Sequence, residues 1–207
     1  MIFNQNGKVN DSLFNYPLDD YEEFKNKALQ CERCRLRESC TQVVMGEGSL
    51  ENKIMFIGEG PGASEDKKGR PFVGRAGRLL DKILKSVNIK RKDIYITNIV
   101  KCRPPENRNP TENEMEACSP ILKTEIKYIK PKVIVPLGSV ALKYLVEPQR
   151  KITEDRGNWF NKGELYFLPT FHPAYLLRNA NMKRPVWNDF KKIKKSIERI
   201  NELYDID

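Results

Sequence analysis

Four short apolar runs punctuate the chain, and each is followed by a loop and then by a helix-patterned segment. The runs are IMFI (54–57), DIYITNIV (93–100), KVIVPLG (132–138) and ELYFLPTF (164–171). Runs without polar alternation are buried on both faces, as in parallel sheets covered by helices on either side. The expected fold class is therefore α/β, with a four-stranded parallel sheet covered on both faces.

The segments between the runs carry helix signals. GRLLDKILKSV places Leu79, Leu80, Ile83, Leu84 and Val87 on one face. Thr111 and Glu114 have capping-box spacing, Ser119-Pro120 is expected to kink or restart the helix that follows, and Ser139 is expected to cap VALKYL. DDYEEFKNKALQ reads as a helix with Tyr21, Phe24 and Ala28 on one face. In RPVWNDFKKIKKSIERINELY the stripe is Val186, Phe190, Ile193, Ile197 and Ile200. The opposite face, with Lys191, Lys192, Lys194, Lys195 and Arg199, reads as solvated rather than as a DNA contact. Residues 1–18 are expected to be a weakly ordered extension and 19–207 a single domain, with no internal repeat.

The formal net charge of +9 favours an acidic partner, of which nucleic acid is the commonest. No run of about eighteen apolar residues is present, and the N-terminus lacks the pattern of a signal peptide. Neither a membrane partner nor export is expected, which points to the reducing cytoplasm. The five cysteines then need an explanation other than disulfides. Cys31-x2-Cys34 is a metal-type pair, and fifteen residues separate Cys102 from Cys118. Four thiolates suit tetrahedral zinc or an iron–sulfur cluster, and spacing does not choose between them. Cys40 is left as the spare.

Ligands of such sheets bind outside the carboxyl ends of the strands. There the chain places GEGPGASED after the first run, Asn98 near the end of the second, Gly138 and Ser139 after the third, and His172 after the fourth. GEGPGA is not GxGxxG, and no P-loop pattern occurs. A second glycine-rich loop, GRPFVGRAGR, sets Phe72 between arginines, an arrangement suited to a flipped base stacked beside phosphates.

Taken in order, CERC, GEGPGASEDKKGRPFVGRAGRLLDKIL, YITNIVKCRPPENRNPTENEMEAC, IKPKVIVPLGSVAL and FLPTFHPAYLLR resemble the family 4 uracil-DNA glycosylases, the thermostable iron–sulfur type of bacteria and archaea. The resemblance spans about Cys31 to Arg199. It implies a three-layer α/β/α fold and hydrolysis of the bond between uracil and deoxyribose in DNA, single- or double-stranded. It also implies a [4Fe–4S] cluster on Cys31, Cys34, Cys102 and Cys118 that tethers the N-terminal segment.

Under that resemblance Phe72 stacks on the base, Asn98 reads its pairing edge, and His172 stabilises the uracil oxyanion, aided by backbone N–H groups of the Gly60 loop. Glu59, Glu65 and Asp66 are the candidates for orienting water and stabilising the sugar cation, with Glu59 favoured. Arg70, Arg75, Arg103, Arg178 and Lys183 are the candidate phosphate contacts. A monomer at the nucleoid is expected, and contacts with a sliding clamp or other repair proteins are not readable. Two other classes remain to be tested against this one: an iron–sulfur electron carrier and a non-catalytic nucleic-acid-binding module.

Overall fold

The computed structural model describes residues 2–9 and 20–204. Six strands form one sheet: β1 (Glu47–Gly48), β2 (Ile54–Gly58), β3 (Tyr95–Asn98), β4 (Val133–Pro136), β5 (Phe160–Lys162) and β6 (Leu165–Phe167). Their spatial order is β1-β3-β2-β4-β6-β5. The inner four are parallel and correspond to the four apolar runs, while β1 and β5 pair antiparallel at the edges. The expected four-stranded parallel sheet is thus the centre of a mixed sheet of six. The edge strands escaped the pattern because they are two and three residues long and only partly buried.

Among the described residues the helices are α1 (Tyr21–Leu29), α2 (Leu36–Ser39), α3 (Ala63–Lys68), α4 (Arg75–Ser86), α5 (Glu112–Ile129), α6 (Ser139–Leu145), α7 (Ile152–Asp155), α8 (Pro173–Leu176) and α9 (Lys183–Tyr204). Side-chain alternation along β2 divides the core in two. Met55 and Ile57 join a cluster with Phe24 of α1, Ile121 and Ile126 of α5 and Leu142 of α6. Ile54 and Phe56 join the other, with Leu80 and Leu84 of α4 and Val186, Phe190 and Ile193 of α9. This is the three-layer α/β/α arrangement. No described helix is long and apolar enough to cross a membrane.

Two local expectations are corrected. α5 starts on the Thr111–Glu114 capping box, but it runs unbroken through Pro120. Burial of Ile121, Leu122, Ile126 and Ile129 outweighs the single backbone hydrogen bond that a proline removes. Ser139 is not a cap: Gly138 precedes α6 at φ 90°, and the Ser139 side chain makes no capping bond. At the N-terminus Phe3 bridges Val9, Ile2 and Phe3 are buried, and the Phe3 ring meets Phe167 edge-on at 5.5 Å. That part of the expected extension packs on the core, and residues 10–18 lie outside the described residues.

The chain leaves β2 for β3 on one side and later returns to place β4 on the other. This reversal opens a crevice at the carboxyl ends of the parallel strands.

Candidate active site

A cleft of about 420 Å³ occupies that crevice. Glu59, Phe72, Asn98, Arg108, His172 and Tyr175 are among the residues that line it.

Asn98 ends β3 and is 2% exposed, yet its Oδ1 is buried without a hydrogen-bond partner. An orphaned buried acceptor costs on the order of 1–3 kcal/mol, which a ligand N–H in the cleft would recover. A Cβ on Gly58 would come within 2.5 Å of that Oδ1 and 2.6 Å of the Phe72 ring, so only glycine lets the two side chains share the floor of the cleft. Phe72 is 5% exposed and sits at φ 52°, a strained setting for a non-glycine residue. Arg91 holds it there by donating to the carbonyls of Pro71 (2.7 Å) and Phe72 (3.3 Å).

His172 is the only histidine in the sequence and caps α8. Its Nδ1 accepts from the Ala174 N–H at 3.2 Å, which places the proton of the neutral ring on Nε2. Burial pushes its pKa down to about 4, against a smaller opposing effect of Glu65. The imidazole is therefore a neutral donor at ordinary pH. Its ring centroid lies 5.6 Å from that of Phe72. Just past the end of the neighbouring strand β4, Gly138 comes so close that a Cβ there would be 3.0 Å from the His172 Cβ.

The three candidate acids separate. Glu59 is half-buried in the cleft, and burial alone raises its carboxyl pKa. Glu65 also lines the cleft, but its Oε1 accepts the N–H groups of Val73 (2.9 Å) and Gly74 (2.7 Å) and so anchors the loop that carries Phe72. Asp66 is turned away: it accepts from the Thr41 N–H (2.9 Å) and hydroxyl (2.8 Å), tying the chain after the cysteine pair to α3. Adjacent helical residues diverge by about 100°, so these two acids cannot share a target.

The cations separate too. Arg178 is exposed and lines the cleft, and Arg75 and Lys183 are exposed at the starts of α4 and α9. Arg70 instead pairs with Glu47 at 2.8 Å, and Arg103 donates to Asn107 Oδ1 at 2.9 Å within the cleft's rim loop. Sequence reasoning missed Tyr175 and Arg108, both in the lining. Arg108 grips Glu114 through two bonds of 2.8 and 2.7 Å and holds its carboxyl at about 2. Glu114 was legible as the capping-box acid, and the arginine six residues before it was the available signal.

Away from this cleft, Cys31, Cys34, Cys102 and Cys118 line one small cavity with Arg37 and Lys101. Burial and the neighbouring sulfurs push the Cys102 thiol far up, and burial pushes that of Cys118 up to about 12. Among the described residues no three Cys, His, Asp or Glu side chains are gathered tightly enough for a single metal ion. The other donors nevertheless suit an anionic, sulfur-bound group larger than one ion. The Lys101 N–H donates to Cys118 Sγ at 3.3 Å, and Arg37 Nε is buried with no partner. Cys40, the spare, lies beside Cys102 and within 3.8 Å of the Arg37 guanidinium.

Comparison with known proteins bears on the family. A family model described as the uracil DNA glycosylase superfamily matches residues 45–191. The Type-4 uracil-DNA glycosylase of Thermotoga maritima is 47% identical over 184 residues, covering 86% of this chain and 95% of that protein. The Type-4 enzyme of Sulfurisphaera tokodaii is 44% identical over 86% of this chain and 84% of its own length. That of Archaeoglobus fulgidus is 36% identical over 85% and 92%.

Proposed function

The chain belongs to the Type-4 uracil-DNA glycosylases of the uracil-DNA glycosylase superfamily, and on that premise we propose how its own residues excise uracil from DNA. The protein is a DNA-repair hydrolase that cuts the N-glycosidic bond of deoxyuridine and leaves an abasic site.

The observation that carries the site assignment is the orphaned Oδ1 of Asn98. Uracil presents an N–H and a carbonyl at its pairing edge, which meet the amide's oxygen and nitrogen respectively. Cytosine presents a bare nitrogen and an amine, so the same amide orientation leaves both pairs mismatched in a buried site. The base must first leave the helix, at a cost of a few kcal/mol in duplex DNA. Stacking on Phe72 offsets part of that cost, as do phosphate contacts from Arg178 in the cleft lining and from the exposed Arg75 and Lys183.

As the bond breaks, negative charge gathers on the uracil oxygen and positive charge on the sugar. His172 donates its Nε2–H to that oxygen, a stabilisation that grows as the charge develops. Glu59 faces the sugar, orients the attacking water and offsets the cationic charge. The free base is a direct probe of this reading. Uracil is expected to inhibit excision competitively, with cytosine at least about tenfold weaker, and equal inhibition by the two would contradict it.

The chain also carries, in this proposal, a [4Fe–4S] cluster on Cys31, Cys34, Cys102 and Cys118, supported by their shared cavity and by the unpaired Arg37 Nε. When bound it supplies structural cross-linking between the segment after α1, the loop after β3 and α5, and no chemical step passes through it. Protein purified without oxygen is expected to hold about four iron and four sulfide per chain and to absorb near 400 nm. Zinc in their place would overturn this assignment and leave the cleft chemistry standing. A monomer working in the cytoplasm on single- or double-stranded DNA completes the proposal, with residues 19–207 acting as one domain.

A further inference from the structure

Behind the base-reading face of β3 lies a fully buried ion pair that the excision chemistry does not use. Lys101 is 1% exposed and Glu125, on α5, 0%. Lys101 Nζ spends its three donors on Glu125 Oε2 (2.7 Å), Thr97 Oγ1 (2.6 Å) and the main-chain carbonyl of Asn98 (2.5 Å). Glu125 accepts in turn from the Gly46 N–H (2.9 Å), the Tyr95 hydroxyl (3.1 Å) and Thr97 Oγ1 (2.9 Å), and Tyr95 continues to Tyr21 at 2.6 Å.

We propose that Lys101 is a positioning residue for uracil recognition: it fixes the main chain at Asn98, so that the carboxamide enters the cleft in its reading orientation. The proposal rests on the reading of Asn98 given above.

Three observations support it. First, strand alternation turns Tyr95 and Thr97 toward Glu125, while Asn98 faces the opposite layer beside Gly58 and Phe72. The network therefore grips β3 from one face and leaves the other free for the base. Second, β1 pairs only with Tyr95 and Ile96, so the ladder on that edge stops two residues short of Asn98. The Lys101 ammonium supplies a donor to the strand end there, and Lys101 is itself held by Val44 N–H bonding to its carbonyl at 2.7 Å. Third, stability alone is a poor reason for such a pair, because well-packed apolar residues of similar volume serve as well or better. What the ammonium adds is direction, applied to the carbonyl of the residue that reads the base.

Removing Lys101 alone would strand a buried carboxylate, so the test uses a neutral pair. Lys101→Met/Glu125→Gln keeps one carbonyl acceptor for the Gly46 N–H and the Tyr95 hydroxyl and turns an amide N–H toward Thr97 Oγ1, which can accept it, but leaves the Asn98 carbonyl without its donor. Expected for the double variant is a rise of about tenfold or more in the uracil concentration that half-inhibits excision. Its affinity for an abasic-site oligonucleotide, which reports phosphate contacts, should change less than about threefold. Glu125→Gln alone takes the charge partner from the buried Lys101 ammonium and should lower the melting temperature, but Lys101 retains its bonds to Thr97 Oγ1 and the Asn98 carbonyl, so uracil inhibition should stay within about threefold of wild type. A merely structural pair would move both affinities together. The proposal is overturned if the double variant binds uracil like wild type, or if Glu125→Gln alone loses tenfold, and the second arm decides the matter should the double variant not fold. Asn98→Ala serves as the control on the underlying reading: wild-type inhibition by uracil in that variant would show the fault to lie with Asn98 rather than with Lys101.

Discussion

His172→Ala slows uracil release under single-turnover conditions by roughly a hundredfold or more, as removal of one oxyanion donor does elsewhere. The expectation follows from how the ring is held. Nδ1 is occupied by the Ala174 N–H, so Nε2 carries the proton toward the cleft. A pKa of about 4 keeps the ring neutral through the physiological range. The working form is thus present above about pH 4 and is lost only as the pH falls through that value. The wild-type rate should show no inflection from His172 between pH 6 and 8. Because the chain has one histidine, its ring resonances are directly assignable by NMR, and they should titrate near pH 4 in the folded protein. An unchanged single-turnover rate in His172→Ala, or a native titration near 6.5, contradicts this role.

Asn98→Asp is expected to cut uracil excision by a comparable factor and to admit cytosine. A carboxylate offers no donor to the uracil carbonyl, and it places negative charge where the leaving base becomes negative. Each mismatched buried hydrogen bond costs on the order of 1–3 kcal/mol, or about five- to 150-fold. The same carboxylate can accept from the cytosine amine. Base release from a cytosine oligonucleotide should therefore become detectable while release from the uracil oligonucleotide falls. Full uracil activity in this variant would remove Asn98 from the reading role.

The layers of the fold were legible because the inner strands are buried on both faces and so lack polar alternation. β1 and β5 left no such trace, since a two- or three-residue edge strand carries too few side chains to show a period. Pro120 misled because a local rule about helix interiors was overridden by the burial of its neighbours on α5. That Phe72, Asn98 and His172 share one cleft was readable from their places at loop and strand ends. The acids were not separable: Glu65 and Asp66 are adjacent in sequence but diverge on α3, one toward the Phe72 loop and one toward Thr41. Arg70 sits beside that loop and also pairs with Glu47 of the edge strand, a partner that sequence alone does not show. Lys101 was invisible as a buried residue, because a lysine in a loop ordinarily reads as surface until the carboxylate that faces it is known.

The most direct test of the central claim is excision itself. A labelled oligonucleotide with one uracil is incubated with the folded protein and then treated with alkali. Strand scission is expected at the uracil and nowhere else, strongly slowed in His172→Ala and Asn98→Asp. An intact strand after incubation with the wild-type protein would contradict it.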